Sequence, residues 1–227
     1  TITYRITRQT TTVAGDFVIV FTATDSQGTG TSDTGNISFS LVFGPSGNRQ
    51  ATLAASASTK VDYSYMGMSV DIDGDTAVAG AGQQGTGGVF VFTRSGSTWT
   101  QEAKIDTISS SPNNYFGAAV AISGDTIVIG EPYDDAAGQT DQGAVHVYTR
   151  SGTTWSHQAS LTAGDNAAGD NFGNSVEIDG DYIIVSAPFD DYGGQTDQGS
   201  VDIFVRSGTS WSQQQTQEIM STSSVEY

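Results

Sequence analysis

Two acidic loops carry the side chains in this sequence that are best suited to hold an ion. In each loop, a pair of adjacent aspartates is followed six residues later by a third aspartate. The candidate ligands are Asp134, Asp135 and Asp141 in the first loop and Asp190, Asp191 and Asp197 in the second. Calcium takes about six to eight oxygen ligands, which the carboxylates and carbonyls of a glycine-containing loop can supply. Calcium is therefore the candidate ion.

The alternative interpretation is that both loops are solvated segments of an acidic protein. Their spacing does not follow the EF-hand pattern, and charged loops are usually exposed to solvent. This alternative is favoured from the sequence alone. If calcium binds, we expect it in these loops and not at the recurring Gly-Asp turns, of which Gly124-Asp125 is one.

No set of residues in the sequence predicts catalysis. The two histidines, His146 and His157, do not form the i, i+4 pair of a helical metal site, and no Ser-His-Asp arrangement can be assigned to them. We expect both to be packing or surface residues. The sequence therefore predicts no catalytic residue, no cofactor other than calcium, and a protein that is not an enzyme.

The charge balance restricts the classes of binding partner. Twenty-five acidic residues against eight basic ones give a net charge of -17, and the basic residues are scattered singly. Nucleic acids and anionic membranes are therefore poor candidates as partners, and we expect no nucleic-acid binding. Such a charge makes copies of the chain repel each other unless salt or divalent cations relieve it. With no cysteine, the chain has neither disulfides nor thiolate metal sites, and no apolar run is long enough for membrane insertion.

An internal repeat sets the organisation of the chain. Trp99, Trp155 and Trp211 recur at intervals of 56 residues, each five residues after an arginine in an Arg-Ser-Gly turn. Repeats of this length are typical of propellers, solenoids and arrays. Because the arginines share the period, we expect them to hold equivalent structural positions and not to converge on a ligand.

Each repeat contains four short segments with strand patterns, joined by glycine-rich turns. Four strands per unit is the composition of a propeller blade, so the sequence predicts an all-β fold of blade-like antiparallel sheets. The predicted repeats span residues 58–110, 111–166 and 167–227.

Residues 1–57 are predicted to form a fourth, degenerate unit without a tryptophan. Gly15-Asp16 before an apolar strand and Ala51-Thr52-Leu53 match the turn and last strand of the later repeats. The alternative is that this segment ends an immunoglobulin-like or cadherin-like domain.

An aromatic-glycine pair at the start of each repeat, with a short glycine- or proline-containing motif after its second strand, resembles the FG-GAP repeat family. The resemblance covers about residues 60–216. It is carried by Phe116-Gly117 with Gly130-Glu131-Pro132, Phe172-Gly173 with Ser186-Ala187-Pro188, and Met66-Gly67 with Gly80-Ala81-Gly82.

The resemblance implies one β-propeller blade per repeat, as in integrin α-subunits, and a role in adhesion or ligand binding at the cell surface or outside the cell. This sequence lacks the D-x-D-x-D-G calcium loop that many members carry between their first two strands. It also has fewer units than the seven blades of an integrin-type propeller. We therefore expect an extracellular adhesion or assembly protein that binds copies of itself or other extracellular proteins. The alternative is a carbohydrate-binding or carbohydrate-active propeller.

Overall fold

A computed structural model describes residues 5–8, 17–22, 38–42, 49–56, 65–82, 87–109, 113–135, 138–165, 167–191 and 195–218, with side chains from residue 51 to residue 214. In these ranges, sixteen strands form four antiparallel sheets, each with its strands in sequence order. The predicted all-β fold of blade-like four-stranded sheets is confirmed.

The four sheets follow one another along the chain. Sheet one contains β1 (Arg5–Arg8), β2 (Phe17–Thr22), β3 (Ser38–Val42) and β4 (Arg49–Leu53). Sheet two contains β5 (Ser69–Asp73), β6 (Thr76–Gly80), β7 (Val89–Ser95) and β8 (Thr98–Ile105). Sheet three contains β9 (Ala119–Ser123), β10 (Thr126–Glu131), β11 (Ala144–Ser151) and β12 (Thr154–Leu161). Sheet four contains β13 (Ser175–Asp179), β14 (Tyr182–Ala187), β15 (Ser200–Ser207) and β16 (Ser210–Glu218).

A β-bulge recurs at the same place in all four sheets, between the third and fourth strands. In sheet three, Val147 pairs with Ala159 and Tyr148 pairs with His157, so that Gln158 is left out of the ladder. Sheet one has the same irregularity after Leu41. Because a bulge depends on local pairing geometry, its recurrence shows that the third and fourth strands of sheet one pair in the same way as those of the later sheets.

Consecutive sheets pack face to face through apolar side chains. Val78, Val89 and Val91 of sheet two pack against Ile127 and Ile129 of sheet three. The opposite face of sheet three, which contains Val128, Val145 and Val147, packs against sheet four. Sheet three is thus apolar on both faces, as a sheet between two others must be.

The Phe-Gly pairs lie at the junctions between sheets, where the backbones approach closely. Phe116 is fully buried, and its carbonyl oxygen accepts a hydrogen bond from the Gly88 nitrogen of the preceding unit (3.1 Å). The Gly117 nitrogen donates to the Gly130 oxygen of its own sheet (3.0 Å). At the next junction, a Cβ atom on Gly130 would overlap the carbonyl oxygen of Gly173. Glycine is required here because no side chain fits between the two backbones.

Candidate functional site

The Arg-Ser-Gly-x-x-Trp motif forms a contact within each sheet. Arg150 donates from Nε to Asp125 Oδ1 (2.8 Å), and its guanidinium lies 5.1 Å from the centre of the Trp155 ring. The equivalent pairs are Arg94 with Asp75 and Trp99, and Arg206 with Asp181 and Trp211. The arginine is therefore held between a carboxylate and an aromatic face.

The same motif also joins each sheet to the one before it. Arg150 Nη1 donates to Thr76 Oγ1 of sheet two (3.1 Å), and Trp155 Nε1 donates to Glu102 Oε1 (3.0 Å). Glu102 is the residue that the bulge of sheet two leaves out of the ladder. The bulge thus turns this side chain towards the following sheet. Arg206 with Thr126, and Trp211 with Gln158, repeat the arrangement at 3.0 Å each.

We expect Trp155→Ala to lower the free energy of unfolding by about 2 to 3 kcal/mol, less than the loss of a fully buried aromatic, because the indole is half-buried. Trp155→Phe keeps most of the packing and loses the bond to Glu102, so we expect a cost of about 1 kcal/mol. Reversible denaturant melts of both variants measure the two values. A cost under about 1 kcal/mol for Trp155→Ala would contradict a role in joining the sheets.

A buried carboxylate–imidazole pair lies in sheet three. Glu131 is 0% exposed and His146 is 3% exposed, and Oε2 of Glu131 lies 2.7 Å from Nε2 of His146. The second Glu131 oxygen accepts from Thr107 Oγ1 (2.8 Å), and His146 Nδ1 lies 3.0 Å from Ser160 Oγ. Each of these polar atoms therefore has a protein partner.

A second network lies next to this pair and centres on Asp134. Asp134 Oδ1 accepts hydrogen bonds from Asn114 Nδ2 (2.9 Å) and from Ser109 Oγ (3.1 Å). Asn114 Nδ2 also lies 2.8 Å from Ser109 Oγ. Burial raises the pKa of Asp134, the Glu131 carboxylate raises it further, and the Ser109 hydroxyl opposes the rise. Glu131, Asp134 and His146 together could hold a metal ion by the proximity of their ligand atoms.

A cluster of three carboxylates lies beside sheet four. Asp165, Asp170 and Asp190 each offer an oxygen within 4.8 Å of the others, and Asp170 and Asp190 are 2% and 3% exposed. Burial raises the pKa of Asp170 to about 6, and the carboxylates of Asp165 and Asp190 add to this rise. Burial also raises the pKa of Asp190; the Ser200 hydroxyl opposes that rise and Asp165 adds to it. This acidic cluster could hold a metal ion.

The structure divides the six predicted ligands into two groups. Asp134 and Asp190 belong to the clusters described above. Asp135 instead accepts the backbone N–H of Asp141 (3.0 Å), and Asp191 accepts that of Asp197 (2.9 Å), so these carboxylates close their own loops. Metal binding by the six residues as a set stays a prediction.

Four residues of the clusters were not among the predicted ligands: Glu131, His146, Asp165 and Asp170. Glu131 is part of the Gly-Glu-Pro motif, and its buried partner is fifteen residues away. The signal for Asp165 and Asp170 was the repeat itself, because residues 56 positions earlier are Ser109 and Asn114. A change from neutral to acidic at two equivalent positions marks a difference in chemistry between two otherwise similar units.

Comparisons with known proteins agree with this architecture. A search of curated proteins found no match to the sequence. The described part of the chain has no helix of the length and hydrophobicity that crossing a membrane requires. The family model of the FG-GAP repeat matches residues 99–148 and 155–204. Each match runs from the last strand of one sheet through three strands of the next, so it includes the Phe-Gly pair at the junction between the two sheets. The resemblance to FG-GAP repeats that the sequence motifs predict is therefore confirmed at residues 99–148 and 155–204.

Proposed function

We propose that this protein is an extracellular adhesion or assembly module that acts by binding other proteins through its sheet faces. FG-GAP repeats suggest a β-propeller-type protein-interaction domain. The observation that carries the proposal is an apolar face on sheet four that no described residue covers. The occupant we propose for this face is sheet one of a second copy of the chain.

The two central strands of sheet four keep the apolar side chains of a covered face, while β13 has Glu177 on this face where sheet three has Ala121. Ile184, Val201 and Ile203 stand at the positions that Val128, Val145 and Val147 occupy in sheet three. Those three valines are 0% exposed beneath sheet four, whereas Ile184 is 44% exposed. Tyr182 lies at the start of the same strand and is 59% exposed. Contiguous apolar surface of this kind is typical of an interaction site.

A difference between sheet four and the earlier sheets, a tyrosine in place of a threonine, indicates which kind of sheet can pack on this face. At the earlier junctions, Thr76 and Thr126 accept hydrogen bonds from the arginine of the following unit. Sheet four has Tyr182 at this position, whose hydroxyl lies at the far end of a ring and not on Cβ, so it cannot accept the hydrogen bond in the same place. The unit of residues 1–57 is the one without the Arg-Ser-Gly-x-x-Trp motif. A copy of that unit therefore fits the face better than a further standard repeat.

Contact between sheet four of one copy and sheet one of the next is a head-to-tail arrangement. Such interfaces form rings when the rotation closes and filaments when it does not. The net charge of -17 opposes association at low ionic strength. We therefore expect assembly to strengthen with added salt, in contrast to association between oppositely charged surfaces.

We expect Ile184→Glu to abolish assembly. A carboxylate buried without a partner costs several kcal/mol, so association should weaken by about 100-fold or more. The matched control is Ile108→Glu, which makes the same change at a residue that is 57% exposed and lies outside this face. Mass photometry in high salt measures the oligomer distribution. The proposal predicts oligomers for the wild type and Ile108→Glu and monomers for Ile184→Glu. A stable wild-type monomer would contradict it.

We further propose that calcium is the ion held at the acidic cluster beside sheet four. Carboxylate oxygens are hard ligands that suit calcium, and extracellular modules bind it with dissociation constants of about 10⁻⁴ to 10⁻³ M. Bound calcium would also relieve part of the negative charge that opposes assembly.

We propose that the protein does not catalyse a reaction. The described part of the chain has one close pair of a carboxylate and an imidazole, Glu131 with His146, and burial keeps both from a substrate. Glycosidase, protease or phosphatase turnover by purified protein, lost on a single substitution, would contradict this. Sugar binding without turnover would favour the alternative of a carbohydrate-binding propeller.

A further inference from the structure

We propose that Asp165, Asp170 and Asp190 form a calcium site that belongs to sheet four alone, and that the equivalent place beside sheet three binds no ion. The assignment rests on the proposal above that the chain holds calcium. It differs from the six-aspartate set because two of its three ligands lie on the segment between β12 and β13, outside the acidic loop.

The repeat supplies an internal comparison for this site. Ser109, Asn114 and Asp134 lie 56 residues before Asp165, Asp170 and Asp190. Beside sheet three, a hydroxyl and an amide donate to the single carboxylate, at 3.1 Å and 2.9 Å. The carboxylate is the acceptor, and the hydroxyl and the amide are its donors, so the hydrogen-bonding needs of the three groups are met within the network. Nothing in this network requires a cation.

Beside sheet four, both neutral groups are replaced by carboxylates. Ionised carboxylates accept hydrogen bonds and donate none, so these three side chains cannot satisfy one another. Among the described residues, Asp170 Oδ2 and Asp190 Oδ1 are buried and have no partner that meets hydrogen-bond geometry, and the buried Ser200 hydroxyl, which lowers the pKa of Asp190, does not meet it either. Unpartnered buried oxygens of like charge are costly unless a proton or a cation lies between them. A bound cation removes this cost for the whole cluster.

The ligand set favours calcium over other common cations. All three ligands are carboxylates, whereas zinc sites are usually built from imidazole and thiolate. Magnesium commonly uses one or two carboxylates and keeps several waters. Asp165 is exposed and the other two are buried, so an ion can enter from solvent at Asp165 and complete its shell with water.

The position of the site indicates what the ion does. Asp165 and Asp170 come from the segment that connects sheets three and four, and Asp190 comes from the loop after β14. The same segment contacts the acidic loop of sheet three through Asn171 Nδ2 with the Pro132 oxygen (3.1 Å) and the Gly169 nitrogen with the Thr140 oxygen (2.9 Å). An ion on the three aspartates therefore ties the connecting segment to sheet four and stabilises the junction between the two sheets.

The test uses substitutions that the protein itself already contains in sheet three. Asp165→Ser with Asp170→Asn introduces the Ser109 and Asn114 chemistry beside sheet four. The control is Asp191→Asn with Asp197→Asn, which removes the same charge from the neighbouring loop and keeps the oxygen of Asp191 that accepts the Asp197 N–H. Each protein, with all 227 residues, is stripped with chelator and titrated with calcium alone, and separately with magnesium alone, by calorimetry. Melting curves are recorded in parallel.

We expect calcium to bind the wild type and to raise its melting temperature with concentration. The calcium affinity of the Asp165→Ser, Asp170→Asn protein should be at least about tenfold lower than that of the wild type. The calcium affinity of the control should stay within about threefold of the wild-type value. The variant's own melting temperature in chelator shows that it folds. Calcium binding that survives in this variant would overturn the site while leaving calcium binding in place. Equal losses in both variants, or tighter binding of magnesium, would also overturn it. No binding by the wild type would overturn the calcium proposal itself.

Discussion

Replacing Glu131 by alanine is expected to lower the free energy of unfolding by about 3 to 5 kcal/mol, because it leaves the His146 imidazole buried with no partner at Nε2. Thr107 also loses the acceptor of its hydroxyl hydrogen bond. Bulk solvent does not reach either contact, since Glu131 is 0% exposed. Denaturant unfolding followed by circular dichroism measures the effect.

Sheet two shows how the same place is filled without a polar pair. At the positions of Glu131 and His146, it has Ala81 and Phe90, which are 3% and 1% exposed. We therefore expect the double variant Glu131→Ala, His146→Phe to be more stable than Glu131→Ala alone, with a coupling free energy of about 2 kcal/mol or more. Strictly additive costs for the two substitutions would contradict a direct interaction between these side chains.

Gly130→Ala is expected to destabilise the protein by about 3 to 4 kcal/mol, the upper range for an overpacked site. The added Cβ would overlap the Gly173 carbonyl oxygen, which belongs to the backbone and cannot rotate away as a side chain can. To relieve the overlap, sheets three and four must separate and expose part of the core between them. Thermal and denaturant melts of the purified variant check this value.

The control for Gly130→Ala is a glycine in an open turn. Gly152 has a φ of 63° and no atom within 4 Å of a built Cβ, and asparagine tolerates this backbone conformation better than other residues. We expect Gly152→Asn to cost about 1 kcal/mol or less. If Gly130→Ala cost no more stability than Gly152→Asn, the close approach of the sheets would not be the reason for a glycine at position 130.

The fold could be predicted from the sequence because its signals are local and repeated. A period of 56 residues, alternating strands and Gly-Asp turns together specify units of four strands. The turn glycines Gly74, Gly124 and Gly180 all adopt positive φ, between 55° and 58°. The bulge could not be predicted, because leaving Glu102 or Gln158 out of the ladder depends on cross-strand pairing that sequence patterns do not encode.

The candidate metal sites were only partly predictable. Acidic residues close in sequence drew attention to Asp134 and Asp190, but Asp135 and Asp191 bond to their own loops. Asp165 and Asp170 join Asp190 through the path of the connecting segment, which no local pattern reveals. The tryptophans illustrate the same limit. Their equivalent positions follow from the period, whereas the acceptors of their indole N–H groups, 53 residues away, follow from the packing of sheets.

The reactivity of a single cysteine on the face of sheet four tests the proposed assembly most directly. The chain has no cysteine of its own, so Ile184→Cys places one thiol on that face, and Ile108→Cys places one outside it. The rate of maleimide labelling is measured in high salt from nanomolar to high micromolar protein. If a second copy covers the face, labelling at residue 184 slows as the concentration rises, in proportion to the fraction assembled, and labelling at residue 108 stays constant. The assembly would be contradicted if the cysteine at position 184 labelled equally fast at every protein concentration. It would also be contradicted if this cysteine were protected at every dilution, because the same chain would then cover it.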